Sequence, residues 1–223
     1  MSTHLDGLYP FLKAADTDAG VSDAELLASA RAKAHESADT IEQFFAQDAA
    51  IVQASHVLAH TFHGGGTVLT AGNGGSSCDA AHFSVEFKHP ITTGRPALPV
   101  TNLTSDIAML TAVSNDIGYS EVYARQVEAL GQRGDCLVAF STSGNSDNLV
   151  RAMYEAHEKG LTTIGFCGQD GGQFAKLSFL DACLCVPTSS VHRVQETHLV
   201  CYHILWDMVH TELSHLGKRK EVS

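Results

Sequence analysis

At 223 residues with 44% hydrophobic side chains, the chain is long enough for one full core with a helical extension, and its composition excludes a disordered or low-complexity protein. Its formal net charge of −11, from 25 acidic against 14 basic residues, excludes a broad nucleic-acid surface, which needs clustered Lys and Arg; the one basic run is Lys218-Arg219-Lys220. No apolar stretch is long enough to span a bilayer, and Met1-Ser2-Thr3-His4-Leu5-Asp6 lacks the basic segment and apolar core of a signal peptide, so the expectation is a cytoplasmic protein without a membrane partner.

In chain order, Ala14 to Gly20 reads as a linker, expected to be peripheral. Val21-Ser22-Asp23-Ala24-Glu25 has the form of a capped helix start, and Leu26, Leu27, Ala30, Ala34, Ile41, Phe44 and Phe45 follow at helical spacing. A second helix is predicted over Asp48–His63 and ends at Gly64-Gly65-Gly66. Apolar runs then mark strands at Thr67–Ala71, Leu98–Leu103, Asp135–Phe140, Thr162–Phe166 and Ala182–Val186. Between them fall helical segments at Ser77–Lys88, Asp106–Val113, Ser120–Leu130, Ser146–Lys159 and Gly172–Lys176, with a longer one over Val194–Ser214. Strands apolar throughout and separated by helices imply an α/β protein with a five-stranded parallel sheet covered on both faces.

Two strand ends break into small hydroxyl- or amide-bearing residues where a helix should begin: Gly72-Asn73-Gly74-Gly75-Ser76-Ser77 and Ser141-Thr142-Ser143-Gly144-Asn145-Ser146. Backbone N–H groups at a helix start, joined by Ser and Thr hydroxyls, hold a phosphate without needing a cation. Both turns fall at the carboxyl edge of the sheet, where ligands of such folds sit.

Metal-ligand chemistry is the next signal. His82 and Glu86 lie one helical turn apart on one face, half of a zinc-type site, although that spacing alone more often marks a surface pair. On the last helix Gln195 and His203 are about 80° apart around the axis, whereas His198 is about 140° from His203, so one metal is not expected to engage both histidines. The expectation for His210 and His215 is a face toward solvent or neighbours, and for His198 spacing leaves a structural role open. The six cysteines, Cys78, Cys136, Cys167, Cys183, Cys185 and Cys201, form no C-x-x-C pair and are expected to be reduced, mostly buried thiols.

Over roughly residues 40–215 these motifs resemble the sugar isomerase (SIS) domain, and within it the phosphoheptose (sedoheptulose 7-phosphate) isomerases. The resemblance is carried by Gly72-Asn73-Gly74-Gly75-Ser76, Asp79 with His82 and Glu86, Asn115-Asp116-x-Gly118-Tyr119, and Arg125-Gln126-Val127-Glu128-Ala129. It continues through Ser141 to Ser146, Gly168-x-Asp170-Gly171-Gly172 and Arg193-Val194-Gln195-Glu196-x-His198. It implies a three-layer α/β/α sandwich over 46–216, a helical extension over 1–45 and a basic tail over 217–223. It also implies a homotetramer with sites at subunit interfaces, and one Zn2+ per subunit held by His82, Glu86, Gln195 and His203. A phosphorylated sugar would contact Asn73, Gly74, Gly75, Glu86, Asn115, Asp116, Ser141, Thr142, Ser143, Ser146 and Gln195, with the hydroxyl cluster on its phosphate. Ketose–aldose conversion through an enediol(ate) needs a base and an acid, roles that fall to Glu86 and His203.

Two positions depart from the pattern of some members. Pro90 stands where an Arg follows the metal-binding Glu, whose contacts would pass to Lys88, His89 or Arg95, and His192 stands where an Asp precedes the Gln. The exact sugar is thereby left open, a pentose or hexose phosphate being the alternative substrate. A further alternative is a non-catalytic SIS tetramer of the kind that binds the replication initiator DnaA. Such proteins lack equivalents of Glu86 and His203; this chain has both.

Overall fold

The computed structural model describes residues 20–46 and 48–221. The expectation for residues 14–19 lies outside the described residues. Helices α1 (Asp23–Phe45) and α2 (Asp48–His63) lead into β1 (Val68–Gly72), α3 (Gly75–Lys88), β2 (Val100–Asn102), α4 (Ile107–Asp116) and α5 (Ala124–Leu130). There follow β3 (Cys136–Phe140), α6 (Asp147–Glu158), β4 (Thr162–Gly168), β5 (Ala182–Val186) and α7 (Val191–Glu221), with single 3-10 turns at Tyr119–Glu121 and Phe174–Lys176.

The chain divides into two compact units after Glu36. In the first, the described residues open with a capping box: the Glu25 carboxylate accepts from Ser22 N at 2.9 Å, and Glu25 N donates to the Ser22 hydroxyl at 3.3 Å. Its apolar residues Val21, Leu26 and Leu27 are exposed.

The second unit contains the sheet, all parallel, in the order β2-β1-β3-β4-β5. Alternation along β3 shows how the layers form. Cys136, Val138 and Phe140 face a core shared with Leu58 of α2, Phe83 and Phe87 of α3, and Tyr202 and Leu205 of α7. Leu137 and Ala139 face the other core with Val127 of α5 and Leu149 and Met153 of α6. Helices on both faces give the three-layer α/β/α sandwich. Among the described residues no helix is long and apolar enough to cross a membrane.

Several elements differ from expectation at their ends. β2 shrinks to three residues because Pro99 has no N–H for the ladder and the Asn102 side chain accepts from Thr104 N, turning the chain. The segment 120–130 divides into a 3-10 turn and α5. At 172–176 only one turn forms: Gly171 and Gly172 have positive φ, and the N–H groups of Gln173 and Phe174 go to Gly144 O. In contrast, α7 runs beyond Ser214 to Glu221, through the basic tail.

Candidate functional site

The first phosphate-type turn depends on close backbone approach. A Cβ on Gly72 would lie 2.2 Å from Ser76 O, so only glycine lets α3 start directly against the end of β1. Gly144 repeats the device, with φ +62° and Gly171 O standing 2.0 Å from where its Cβ would be. Neither Gly74 before α3 nor Ser146 before α6 closes its helix start with a side-chain bond, whereas α4 is capped by Asp106 Oδ1, which accepts from Met109 N at 2.9 Å. Backbone carbonyls take the N–H groups of Ser76 and Ser77 at α3 and of Leu149 at α6, so the donors left for an anion are those of Gly75 at α3 and of Asp147 and Asn148 at α6, where the helix dipole favours one. Around the second turn the Ser141 and Ser146 hydroxyls are 3.0 Å apart, the exposed Ser143 accepts from Asn145 N, and Thr142 is half-buried.

A reciprocal amide pair clasps the turns together. Asn73 Nδ2 donates to Asn148 Oδ1 at 2.8 Å, and Asn148 Nδ2 returns a bond to Asn73 Oδ1 at 3.0 Å. The Tyr119 hydroxyl donates to the same Asn73 oxygen, and the Tyr123 hydroxyl donates to Gly72 O. Asn115 and Asp116, exposed at the end of α4, bond to each other at 2.8 Å, and Tyr119, three residues on, ties their segment to the first turn.

The second feature stands on the flank formed by α3 and α7. One ligand atom each from His82, Glu86 and His203 lie within 4.8 Å of one another. His82 Nε2 is 3.0 Å from Glu86 Oε1, and the His82 and His203 rings meet edge to face at 5.1 Å. The Tyr202 hydroxyl is 2.8 Å from His82 Nδ1. With Nδ1–H donating to that oxygen, the Nε2 lone pair faces Glu86 and is open to a cation. Two imidazole nitrogens and a carboxylate are a zinc-type donor set, so the residues present fit such an ion. Gln195 is placed by another contact: its amide Nε2 lies 2.1 Å from where a Cβ on Gly75 would be, at the start of α3 and eight residues before His203 on α7.

Burial shapes the charges nearby. The Asp79 carboxyl is pushed up to about 6, first by burial and against the opposing His82 charge, and its Oδ2 has no protein partner. Burial also pushes the Tyr202 hydroxyl upward, helped by the Asp79 and Glu86 charges. His198 lies fully buried in the core, its Nε2 3.1 Å from Cys167 O, and burial lowers its pKa to about 4. His210 is buried too, stacked on Phe87, rather than turned to solvent; His215 is exposed.

A cavity of about 330 Å³ opens beside the group, lined by His82, Glu86, Ile91, Thr92, His203, Trp206 and Asp207. Arg95 packs over the Trp206 ring at 5.5 Å and stands 4.0 Å from Asp207 Oδ1, at the rim of this cavity. A larger cavity of about 1000 Å³ is lined by Thr67, Asp135 and Thr162 among others, at the amino-terminal edge of the strands, away from both turns. Size alone does not make it the reacting site, since no phosphate turn faces that edge.

Sequence reasoning missed Asn148, Tyr123 and Tyr202, and singled out Tyr119 only as part of a family motif, with no role. Each acts through a residue 46 to 120 positions away. No local periodicity carries that signal.

Comparison with known proteins adds the family. The SIS domain family matches residues 34–168. A phosphoheptose isomerase of Thiobacillus denitrificans is 44% identical over 160 residues, covering 71% of this chain and 81% of that protein. The solved phosphoheptose isomerase of Francisella tularensis superposes with a TM-score of 0.78 at 33% identity, covering 83% of this chain and 98% of that one. That of Neisseria gonorrhoeae gives 0.75 at 35% identity, covering 84% and 98%.

Proposed function

We propose, on the premise that the chain belongs to the SIS-domain phosphoheptose isomerase family, that it converts sedoheptulose 7-phosphate to D-glycero-D-manno-heptose 7-phosphate. The chain is an aldose–ketose isomerase. The observation that carries the residue assignment is the convergence of His82, Glu86 and His203 from two helices onto one cavity.

The hydroxyls of Ser141, Thr142, Ser143 and Ser146, with the free N–H groups of α6, hold the phosphate. Asn73, Gly74, Gly75, Asn115, Asp116 and Gln195 contact the sugar. Glu86 removes the proton from C1 of the ketose, giving an enediol(ate); the O1 hydroxyl proton passes to O2, His203 delivers a proton to C2 as the C1 aldehyde forms, and exchange with solvent returns Glu86 and His203 to their starting protonation states. His82, Glu86 and His203 would hold the zinc ion, with Gln195 as fourth ligand once its side chain swings from the start of α3, and the ion when bound would polarise the carbonyl and hydroxyl oxygens of the sugar.

Glu86 stands eleven residues beyond Gly75, about 16 Å along α3. The proton-transfer group and the phosphate turns are thus separate features of one chain. A homotetramer with sites at subunit interfaces unites them, and the extension over 1–45, with exposed Val21, Leu26 and Leu27, serves those contacts ahead of the catalytic domain 46–216 and the tail 217–223. The cytoplasm is the setting of this reading.

A panel of phosphorylated five-, six- and seven-carbon ketoses, assayed with and without added zinc, tests the substrate. Zinc-dependent turnover of the seven-carbon ketose is expected. Turnover of only a shorter sugar would move the reading to another phosphosugar, and no turnover of any would favour a non-catalytic scaffold.

A further inference from the structure

We propose that Cys167, Cys183 and Cys185 form a binding site for one thiophilic d10 metal ion, of the Cu(I), Zn(II) or Cd(II) class, distinct from the His82 group. This goes beyond the isomerase reading and does not depend on it.

The sheet register assembles the thiols. Cys167 on β4 is paired with Cys185 on β5, and Cys183, two residues earlier, projects from the same face of the edge strand. All three are free; Cys167 is buried, and Cys183 and Cys185 are half-buried, which leaves the cluster reachable from the sheet edge. The Cys167 and Cys183 sulfurs are 3.5 Å apart, and the Cys185 thiol donates to Gln169 O at 3.1 Å. Gln169 is the one non-glycine with positive φ among the described residues, and its backbone turns that carbonyl onto the cluster.

The spacing favours a shared ion over a disulfide. Strands about 4.8 Å apart and two residues' rise of about 6.6 Å place the Cys167 and Cys183 Cα atoms about 8 Å apart, beyond the ~7 Å that a disulfide spans without backbone movement. Two metal–sulfur bonds of ~2.3 Å bridge the existing 3.5 Å gap at an angle of about 100°, near tetrahedral. The three sulfurs are not all within 4.8 Å of one another, so the site forms when Cys185 rotates off Gln169 O to supply the third.

The local chemistry supports ligation. Hydrogen bonding within the trio lowers the pKa of Cys183 and of Cys185, while the same bonds and burial raise that of Cys167, so the thiol proton held on Cys167 is the one an entering ion must displace. Asp170 adds negative charge beside Cys185, favourable to a cation. Binding releases the thiol protons to solvent, and no oxidant is needed.

The test titrates the reduced, zinc-saturated full chain, exchanged into buffer free of small-molecule thiol, with Cd(II), following thiolate-to-cadmium ultraviolet absorbance and metal per chain by native mass spectrometry. The His82 group contains no sulfur and the buffer no thiol, so the band reports protein cysteine ligation alone. The expected result is one cadmium per chain, filling the site or displacing zinc from it, with a multi-thiolate band that is lost in Cys167→Ser and in Cys183→Ser and is unchanged in Cys78→Ser. Half-buried Cys183 keeps the test valid if the buried Cys167 variant fails to fold. Absence of the band, its persistence in Cys183→Ser, or its loss in Cys78→Ser overturns the proposal.

Discussion

Which nitrogen of His82 can face a cation is set by Tyr202, whose hydroxyl holds Nδ1 at 2.8 Å. Tyr202→Phe keeps the ring and removes only that partner. It is expected to weaken zinc binding by about 10- to 100-fold, read as metal retained per chain after dialysis against a chelator. Unchanged retention would mean that Glu86 and His203 orient His82 without it. At the second turn, Ser143→Ala or Ser146→Ala removes one donor to a charged oxygen, worth about 1.5–3 kcal/mol. KM is expected to rise roughly tenfold to a hundredfold with little change in melting temperature. An unaltered KM in both variants would place the phosphate elsewhere.

Among the elements, α6 and β1 are joined by the Asn73–Asn148 pair, and β4 is tied to α7 by His198. Asn148→Ala takes the partner of the half-buried Asn73 Nδ2, while Asn73 Oδ1 keeps the Tyr119 hydroxyl, and is expected to cost about 1 kcal/mol in denaturant unfolding. His198 gives a pH signature. Burial holds its pKa at about 4 in the folded chain against an ordinary 6.5, so the unfolded chain binds more protons between those limits. The stability it contributes is therefore complete above 6.5 and lost as pH falls toward 4, on the order of 3 kcal/mol. Asp79, held up at about 6, acts in the opposite sense from about pH 4 to 6, so comparison with His198→Leu isolates the histidine. The stability gap between wild type and variant is expected to shrink by that amount from pH 7 to 4; a constant gap would mean the ring is not buried neutral. The five strands, their parallel sense and the two turns were legible because apolar runs and glycine–hydroxyl breaks are local signals. The divided segment at 120–130 and the single turn at 174–176 were not, because Tyr119 and Gly144 O make bonds to distant residues that the local pattern does not encode; the trimmed β2 follows from local signals, Pro99 and the Asn102 side chain on Thr104 N, that the apolar run outweighed. In the site, the pairing of His82 with Glu86 followed from their spacing, while their meeting with His203 required knowing that α3 packs along α7.

For the whole molecule, the reading rests on subunits that bring the phosphate turns and the Glu86–His203 pair around one sugar. Leu26 and Leu27 are 57% and 51% exposed, an apolar patch suited to subunit contact. Leu26→Asp with Leu27→Asp is expected to shift light-scattering mass from four chains toward fewer and to lower activity in parallel; a monomeric wild type at micromolar concentration would contradict the assembly. The central claim is that Glu86 takes the substrate proton, and solvent isotope exchange measures it directly. In deuterated water, zinc-loaded wild type is expected to wash deuterium into C1 of sedoheptulose 7-phosphate, while Glu86→Gln, of nearly the same volume, binds the sugar phosphate and exchanges almost nothing. Exchange at the wild-type rate in Glu86→Gln would contradict the account.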